Sequence, residues 1–378
     1  MTRWPQVILT DETMREGMQI ESVTIALEQK LRLLDALSMT GLKRIVVGSF
    51  VSPRWTPQMA EIDTLIQHMQ PRPGVTYLAL ALNERGRERR RQYVPPLTID
   101  EDLPETHQHL CDVFIKRNTN RTIAQQEATW PGIVEAAVRT GARMACVGLS
   151  AAWGSNWHGE FSHEYRMEQL ERQVRLWDDV GIPVHKVFLA DPMGWNVPDR
   201  VVEALAAIKT RWPSVDTFAL HLHNQRGLAM LSSYAAMQTL EPRDTLMLDT
   251  TLGGIGGCPY CGNGRATKMI PTEDLVHFLE GEGIETGVDL AALIEAAHLA
   301  EQVVGHELYG HVSKAGPRPG PDALYPMDMP LVESIEQAQH FRLGPGVYAG
   351  LPTPWKAPIR SVARDAVEEQ IRTRETAR

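Results

Sequence analysis

The chain has 378 residues, 43% of them hydrophobic and 22% charged, which suits a folded globular protein with a sizeable core. A formal net charge of −9 argues against nucleic acid as the main partner, because phosphate binding needs a basic face. Four cysteines are too few for a disulfide framework and point to a reducing, cytoplasmic compartment; no apolar run approaches the ~20 residues of a membrane span, and the opening "MTRWPQVILTDETMREG" lacks a signal peptide's apolar segment.

Short β-branched or apolar runs recur at Gln6–Thr10, Arg44–Phe50, Val75–Leu82, Asp112–Lys116, Arg143–Leu149, Val184–Leu189, Thr217–His223 and Thr245–Asp249. Amphipathic stretches separate them. Leu27, Leu31, Leu34 and Leu37 fall at helical spacing, with Gly41 placed to end that helix. Leu170, Val174 and Trp177 repeat the pattern, with Gly181 as the stop. Pro198 suits a first helical turn, and Thr272 followed by Glu273 and Asp274 reads as a helix start. Residues 288–305 read as a further helix. Eight strand–helix alternations predict a (β/α)₈ TIM barrel over residues 1–305, with a doubly wound open sheet as the alternative. From Gly316 onward the composition turns Pro/Gly-rich. Residues 306–378 are therefore expected to be a C-terminal extension that packs on the barrel or on a partner subunit.

In such a barrel the chemistry sits at the carboxyl ends of the strands. The seventh run, "TFALHLHNQRG", places His221 and His223 two apart, so both face the same side. They suit a divalent metal, or else are one buried structural histidine and one surface histidine. The first run ends in "TDETMREGMQ", gathering Asp11, Glu12, Arg15, Glu16 and Gln19. Those carboxylates can complete a metal shell and Arg15 can hold an oxyanion; a loop of mutual salt bridges is the plainer reading. Asp191 ends the sixth run just before a proline, a position typical of turns.

The eighth run leads into "GGIGGCPYCGNG", whose glycines let a loop close over a ligand. Cys258 and Cys261 ride on it as a redox pair, half a zinc site, a catalytic thiol with a neighbour, or a turn that tolerates sulfur. Zinc would want two more soft ligands, and the sequence has no second C-x-x-C. The arginine-rich "ERGRERRRQY" (84–93) reads as a solvated helix face, or as a grip on phosphates.

Several of these segments resemble 3-hydroxy-3-methylglutaryl-CoA lyases. "REGMQ", "SFVSPRWTPQM", "HLHN" and "GGIGGCPY" followed by "TEDLVHFLEGEGIETGVDL" are each similar to a segment of that family, across roughly residues 5–305. The resemblance implies the lyase branch of the metal-dependent lyase and Claisen-condensing barrels. It implies that Glu16, His221 and His223 bind Mg²⁺ or Mn²⁺, with Asn263 a candidate fourth ligand. Arg15 would then stabilise the enolate of the leaving acyl-CoA and Cys258 would protonate it. Asp191, Glu273 and Gln19 would be supporting polar groups. The partner would be a small-molecule substrate, an acyl-CoA thioester, and the chain would form a homodimer or higher homo-oligomer.

The sequence departs from the pattern in three places. The usual metal-binding Asp is Glu16, a strand-two Glu is replaced by Val46, and the family's Asn after the loop does not align cleanly. The expected reaction splits a 3-hydroxy-3-carboxymethyl acyl-CoA into acetyl-CoA and a 3-oxoacid. The alternatives are an aldolase or Claisen-type condensing enzyme acting on a 2-oxo acid, and a non-catalytic metabolite-binding relative. The spacing of Cys258 and Cys261 also predicts an oxidative crosslink that switches activity off.

Overall fold

Eight parallel strands carry the architecture: β1 (Gln6–Asp11), β2 (Arg44–Ser49), β3 (Thr76–Leu80), β4 (Glu105–His109), β5 (Ala145–Ser150), β6 (Val184–Asp191), β7 (Thr217–Leu222) and β8 (Thr245–Thr251). The computed structural model of the protein describes residues 3–99, 103–261 and 268–321, together with Arg372, Thr373 and Thr376. The strands lie in the order β3-β2-β1-β8-β7-β6-β5-β4. First and last strands are neighbours, in register from Gln6 opposite Thr245 to Asp11 opposite Thr250. A doubly wound sheet has no such pairing, so the sheet curls as a (β/α)₈ barrel does. Its margins are β3 and β4, and no ladder joins these two among the described residues.

The helices clothe the outer face. Leu27–Ser38 buries Leu33, Leu34 and Leu37, and Gly41 follows it at a left-handed φ of 90°. His163–Asp178 buries Leu170, Val174 and Trp177, with Gly181 at φ 73° beyond its end. Pro198 opens the helix Pro198–Arg211, and Thr272–Gly281 carries Glu273 and Asp274 in its first turn. Leu290–Val304 is the predicted late helix.

One strand differs from the sequence reading. Asp112–Lys116 begins a helix, Asp112–Thr119, capped by the Cys111 sulfur accepting from the Phe114 N–H at 3.3 Å. The fourth strand is the earlier, polar "ETHQH", Glu105–His109. The arginine run is the helix Glu84–Arg91: Arg87 and Arg91 pair with Glu84, Arg89 with Asp63, and buried Arg90 donates to the Ala79 carbonyl at 3.0 Å. These contacts keep most of the run on the helix's own surface, as the solvated-face reading expects.

The barrel and its helices belong to a compact unit that runs to Gly310. Past it, the described residues form the short helix Val312–Ala315; most of the C-terminal extension expected to pack on the barrel or a partner lies outside the described residues. Among the described residues no helix is long and apolar enough to cross a membrane.

Candidate active site

Where β1 ends, the chain makes a single π turn over Thr13–Gly17. The N–H groups of Arg15 and Gly17 both donate to the Glu12 carbonyl, at 3.0 and 3.1 Å. Such turns recur at functional sites because the extra residue re-aims the side chains around it. Here Arg15 Nε donates to the Glu12 carboxylate and Nη1 to that of Glu16. The three side chains are 15%, 9% and 3% exposed, so a nearly dry guanidinium lies between two carboxylates. Burial raises the Glu12 carboxyl, with Arg15 opposing. For Glu16 burial also acts upward, but Arg15, His221 and His223 together hold it below the usual carboxylate range.

Asp11 faces the neighbouring helix start. Its Oδ1 accepts from the Thr13 N–H at 2.9 Å and its Oδ2 from the Thr272 hydroxyl at 2.7 Å. Full burial pushes its carboxyl up to about 6 despite those bonds.

The end of β7 brings the two histidines to the same place. His221 Nε2 and His223 Nε2 lie 3.2 Å apart, and Glu16 Oε1 is 3.6 Å from the latter. One donor atom from each of Glu16, His221 and His223 lies within 4.8 Å of the others. His221 Nδ1 lies 2.9 Å from Asp249 Oδ2 at the end of β8, a pairing that assigns the proton to Nδ1 and leaves the Nε2 lone pair free. Burial works against charge on His221, but Asp249, followed by Glu16, keeps it above its usual value. Burial first, and His221 second, lower His223 to about 3, so His223 stays neutral. Two imidazole nitrogens and a carboxylate converging on one point are a donor set that fits a divalent cation.

The loop after β8 is sewn to this turn. The Leu252 N–H donates to Thr13 Oγ1 at 2.8 Å, and the Thr251 hydroxyl to the Ile255 carbonyl at 2.7 Å. Gln19 Nε2 reaches the Gly257 carbonyl at 3.3 Å. Gly256, at φ 104°, passes so close that a Cβ there would lie 2.4 Å from the Glu16 carbonyl oxygen. The loop delivers Cys258, 8% exposed, into a small cluster with Cys111, Phe114, Ala151, Met193 and Cys261. A hydrogen bond with the Cys258 side chain, then burial, push the Cys261 thiol far up, so it remains protonated.

Other expected site residues hold the loop and the strand ends, and the Asp191 carbonyl accepts the His223 N–H at 3.2 Å. Glu273, fully buried, receives the Gly253 N–H at 2.9 Å and so holds the root of the loop. Asp191 Oδ2 accepts from Asn196 N and Nδ2 at 2.6 and 2.7 Å, the turn role that its place before Pro192 suggested. Val46 is buried in β2 and offers no carboxylate; Glu12 partners Arg15 instead. Asn263 lies outside the described residues. Sequence reasoning passed over Asp249, although strict alternation along β8 sets it on the same face as Met247 and Thr251.

Residues 6–300 match the model of the HMGL-like family. The chain belongs to that family. A (R)-citramalyl-CoA lyase from Chloroflexus aurantiacus is 33% identical, over 82% of this chain and 95% of that protein. A 3-hydroxy-3-isohexenylglutaryl-CoA/hydroxymethylglutaryl-CoA lyase from Pseudomonas aeruginosa is 31% identical, over 82% and 97%. Among solved structures, an HMG-CoA lyase from Acinetobacter baumannii in complex with coenzyme A and 3-methylmalate superposes with a TM-score of 0.68, at 28% identity, covering 85% of this chain and 98% of that one. These HMGL-like relatives are carbon–carbon lyases, and they favour the lyase reading over the condensing and non-catalytic alternatives. Dependence on a divalent metal goes with the family, and the Glu16–His221–His223 cluster suits it.

Proposed function

We propose that this chain cleaves a 3-hydroxy-3-carboxymethyl acyl-CoA, of the 3-hydroxy-3-methylglutaryl-CoA type, to acetyl-CoA and a 3-oxoacid. The observation that carries the reading is the convergence of Glu16, His221 and His223 beside a buried Arg15, under a loop that presents a thiol. Glu16, His221 and His223 would hold Mg²⁺ or Mn²⁺, ions that accept this oxygen–nitrogen donor set. A cation held there acidifies the substrate's tertiary hydroxyl and polarises its carbonyl.

The chain's own groups do the rest. As the carbon–carbon bond breaks, the hydroxyl gives its proton to a solvent water and becomes a ketone, and the bonding pair passes to the acetyl carbon as an enolate. Arg15, pinned by Glu12 and Glu16, needs no reorganisation to face that charge. Cys258 Sγ donates its proton to the enolate carbon, completing acetyl-CoA. Gln19 and Glu273 fix the loop that carries it. Asp191 shapes the β6 end. A cytoplasmic, reducing setting, in keeping with four free cysteines, and a homo-oligomeric assembly belong to the same reading.

The test is acetyl-CoA release from metal-reconstituted protein offered 3-hydroxy-3-methylglutaryl-CoA, citramalyl-CoA and longer 3-alkyl homologues. Acetyl-CoA and a 3-oxoacid from 3-hydroxy-3-methylglutaryl-CoA or a longer homologue, lost with chelator and restored by Mg²⁺ or Mn²⁺, is the expected result; acetyl-CoA from citramalyl-CoA alone, which leaves a 2-oxo acid, would overturn the substrate assignment. Turnover only with acetyl-CoA plus a 2-oxo acid would replace it with the condensing reaction.

A further inference from the structure

A second cluster of metal-ligating side chains shares no ligand with the Glu16–His221–His223 cluster, although its Cys111 packs in the small group that receives Cys258. Cys111, Asp112 and His158 each offer one donor atom, and these atoms all lie within 4.8 Å of one another. Cys111 and Asp112 open the helix after β4; His158 lies in the turn of a two-stranded hairpin, Gly154–Ser155 against Gly159–Glu160, that follows β5. The donors thus come from two separate elements.

The donor chemistry differs from the first site. Thiolate, imidazole and carboxylate together match Zn²⁺, whereas Mg²⁺ avoids sulfur. With the thiol deprotonated the set carries two negative charges, which a divalent ion balances. The Phe114 N–H at 3.3 Å points to the Cys111 sulfur at the helix start and fixes its direction. Asp112 Oδ1 and His158 Nε2 are already 2.7 Å apart, and that contact holds the Asp112 carboxyl below the usual range.

The cluster is also partly organised in advance. The N–H groups of Trp157 and His158 both bond to Ser155 Oγ, at 3.3 and 3.0 Å, which fixes the turn that carries the imidazole. Cys111 is fully buried, while the Asp112 and His158 side chains are 53% and 43% exposed, so an ion can enter from the solvent side and keep a water as its fourth ligand. Ligand atoms around a tetrahedral zinc stand roughly 3.5 Å apart, which small side-chain rotations reach from this spacing.

We infer that Cys111, Asp112 and His158 form a second metal site, selective for Zn²⁺ or a similar borderline-soft ion, distinct from the Glu16–His221–His223 cluster. Its position gives it a use. Arg117, on the same helix as Asp112, donates to the Tyr260 carbonyl at 3.0 Å, and Asn156, in the hairpin, donates to the Cys261 carbonyl at 3.0 Å. An ion that ties helix to hairpin therefore braces both supports of the Cys258–Cys261 loop.

The experiment uses Co²⁺ as a spectroscopic stand-in for zinc on the full-length protein, with Mg²⁺ in excess to occupy the first site. The expected result is a near-ultraviolet thiolate-to-cobalt charge-transfer band, competed away by Zn²⁺. Cys111→Ser should abolish the band, and His158→Ala should weaken Co²⁺ binding by at least about tenfold, the loss that removing even an outer-shell partner produces. Both variants should keep the wild-type circular dichroism spectrum. A Cys258→Ser/Cys261→Ala protein should retain the band. No band in the wild type, or a band unchanged in Cys111→Ser but lost in the double variant, would overturn the site.

Discussion

His221 Nδ1 faces Asp249 Oδ2 at 2.9 Å, which turns His221 Nε2 toward His223 Nε2, 3.2 Å away. The carboxylate on β8 thereby sets the tautomer of a histidine on β7. Asp249→Asn can no longer favour that tautomer as strongly. We expect Mg²⁺ or Mn²⁺ affinity to fall by about 10- to 100-fold, the usual effect of losing such a partner. Calorimetric titration checks it, and an unchanged affinity would remove Asp249 from the site.

Glu12 supports Arg15 in the same indirect way. Glu12→Gln keeps the shape and removes one of the two carboxylates that pin the guanidinium. kcat should fall by about 10- to 100-fold with KM little changed, since the charge that Arg15 meets develops only in the transition state. A raised KM with normal kcat would place Arg15 in substrate binding instead.

At Gly256 even one methyl group is too much. An alanine Cβ would meet the Glu16 carbonyl at 2.4 Å, in a left-handed backbone region that alanine resists. Gly256→Ala should lower the melting temperature and weaken metal binding by at least about tenfold, because the displaced atom belongs to Glu16 itself. A Gly287→Ala control has a left-handed φ and no neighbour within 4 Å of the added atom, so it should show the backbone penalty alone.

Asp11 predicts a pH dependence. Its carboxyl rises from an ordinary 3.8 to about 6 in the folded protein, so the fold binds this proton more tightly than the unfolded chain does. The contribution is present at low pH and is lost as pH rises through about 4 to 6. The full span is about 3 kcal/mol. Melting curves of metal-free protein between pH 4 and 7 should show this decline, and Asp11→Asn should flatten it. Equal slopes in the two proteins would contradict the assignment.

Oxidation supplies a further test. Cys258 and Cys261 are free thiols packed in one small buried cluster. Mild peroxide should crosslink them and stop turnover, and a thiol reductant should restore it. Cys261→Ala should instead lose activity irreversibly as Cys258 over-oxidises. Mass spectrometry of oxidised wild type with no 258–261 crosslink would end the idea.

The barrel was legible because seven of the eight strand runs are rich in apolar or β-branched residues and alternate with helical patterns. The fourth was not, for a physical reason. Glu105, His107 and His109 alternate along β4, and the His107 ring lies tilted against Phe188 of β6, so this strand puts polar groups where an apolar pattern is expected. The apolar "VFIK" that drew attention belongs to the helix that follows. The histidine pair was visible from its period of two. Mutual salt bridges around Arg15 were legible as well, but the π turn that sets Arg15 between Glu12 and Glu16 was not, because neither composition nor spacing encodes that turn. Val46 stands on β2 where the resemblance looked for a Glu, and Glu12, just past β1, is a carboxylate beside Arg15.

The pairing of β1 with β8 has a consequence for how the chain is made. Residues 6–11 have no partner on one edge until residues 245–250 exist. At roughly 5–20 residues per second, a ribosome leaves that edge waiting for tens of seconds. Glu16 emerges early and His221 and His223 late, so a nascent chain cannot assemble the cation cluster before most of it is synthesised. A protein truncated before β8 should therefore be a client for chaperones, with an unpaired first strand and an Arg15 turn that has no loop to close over it.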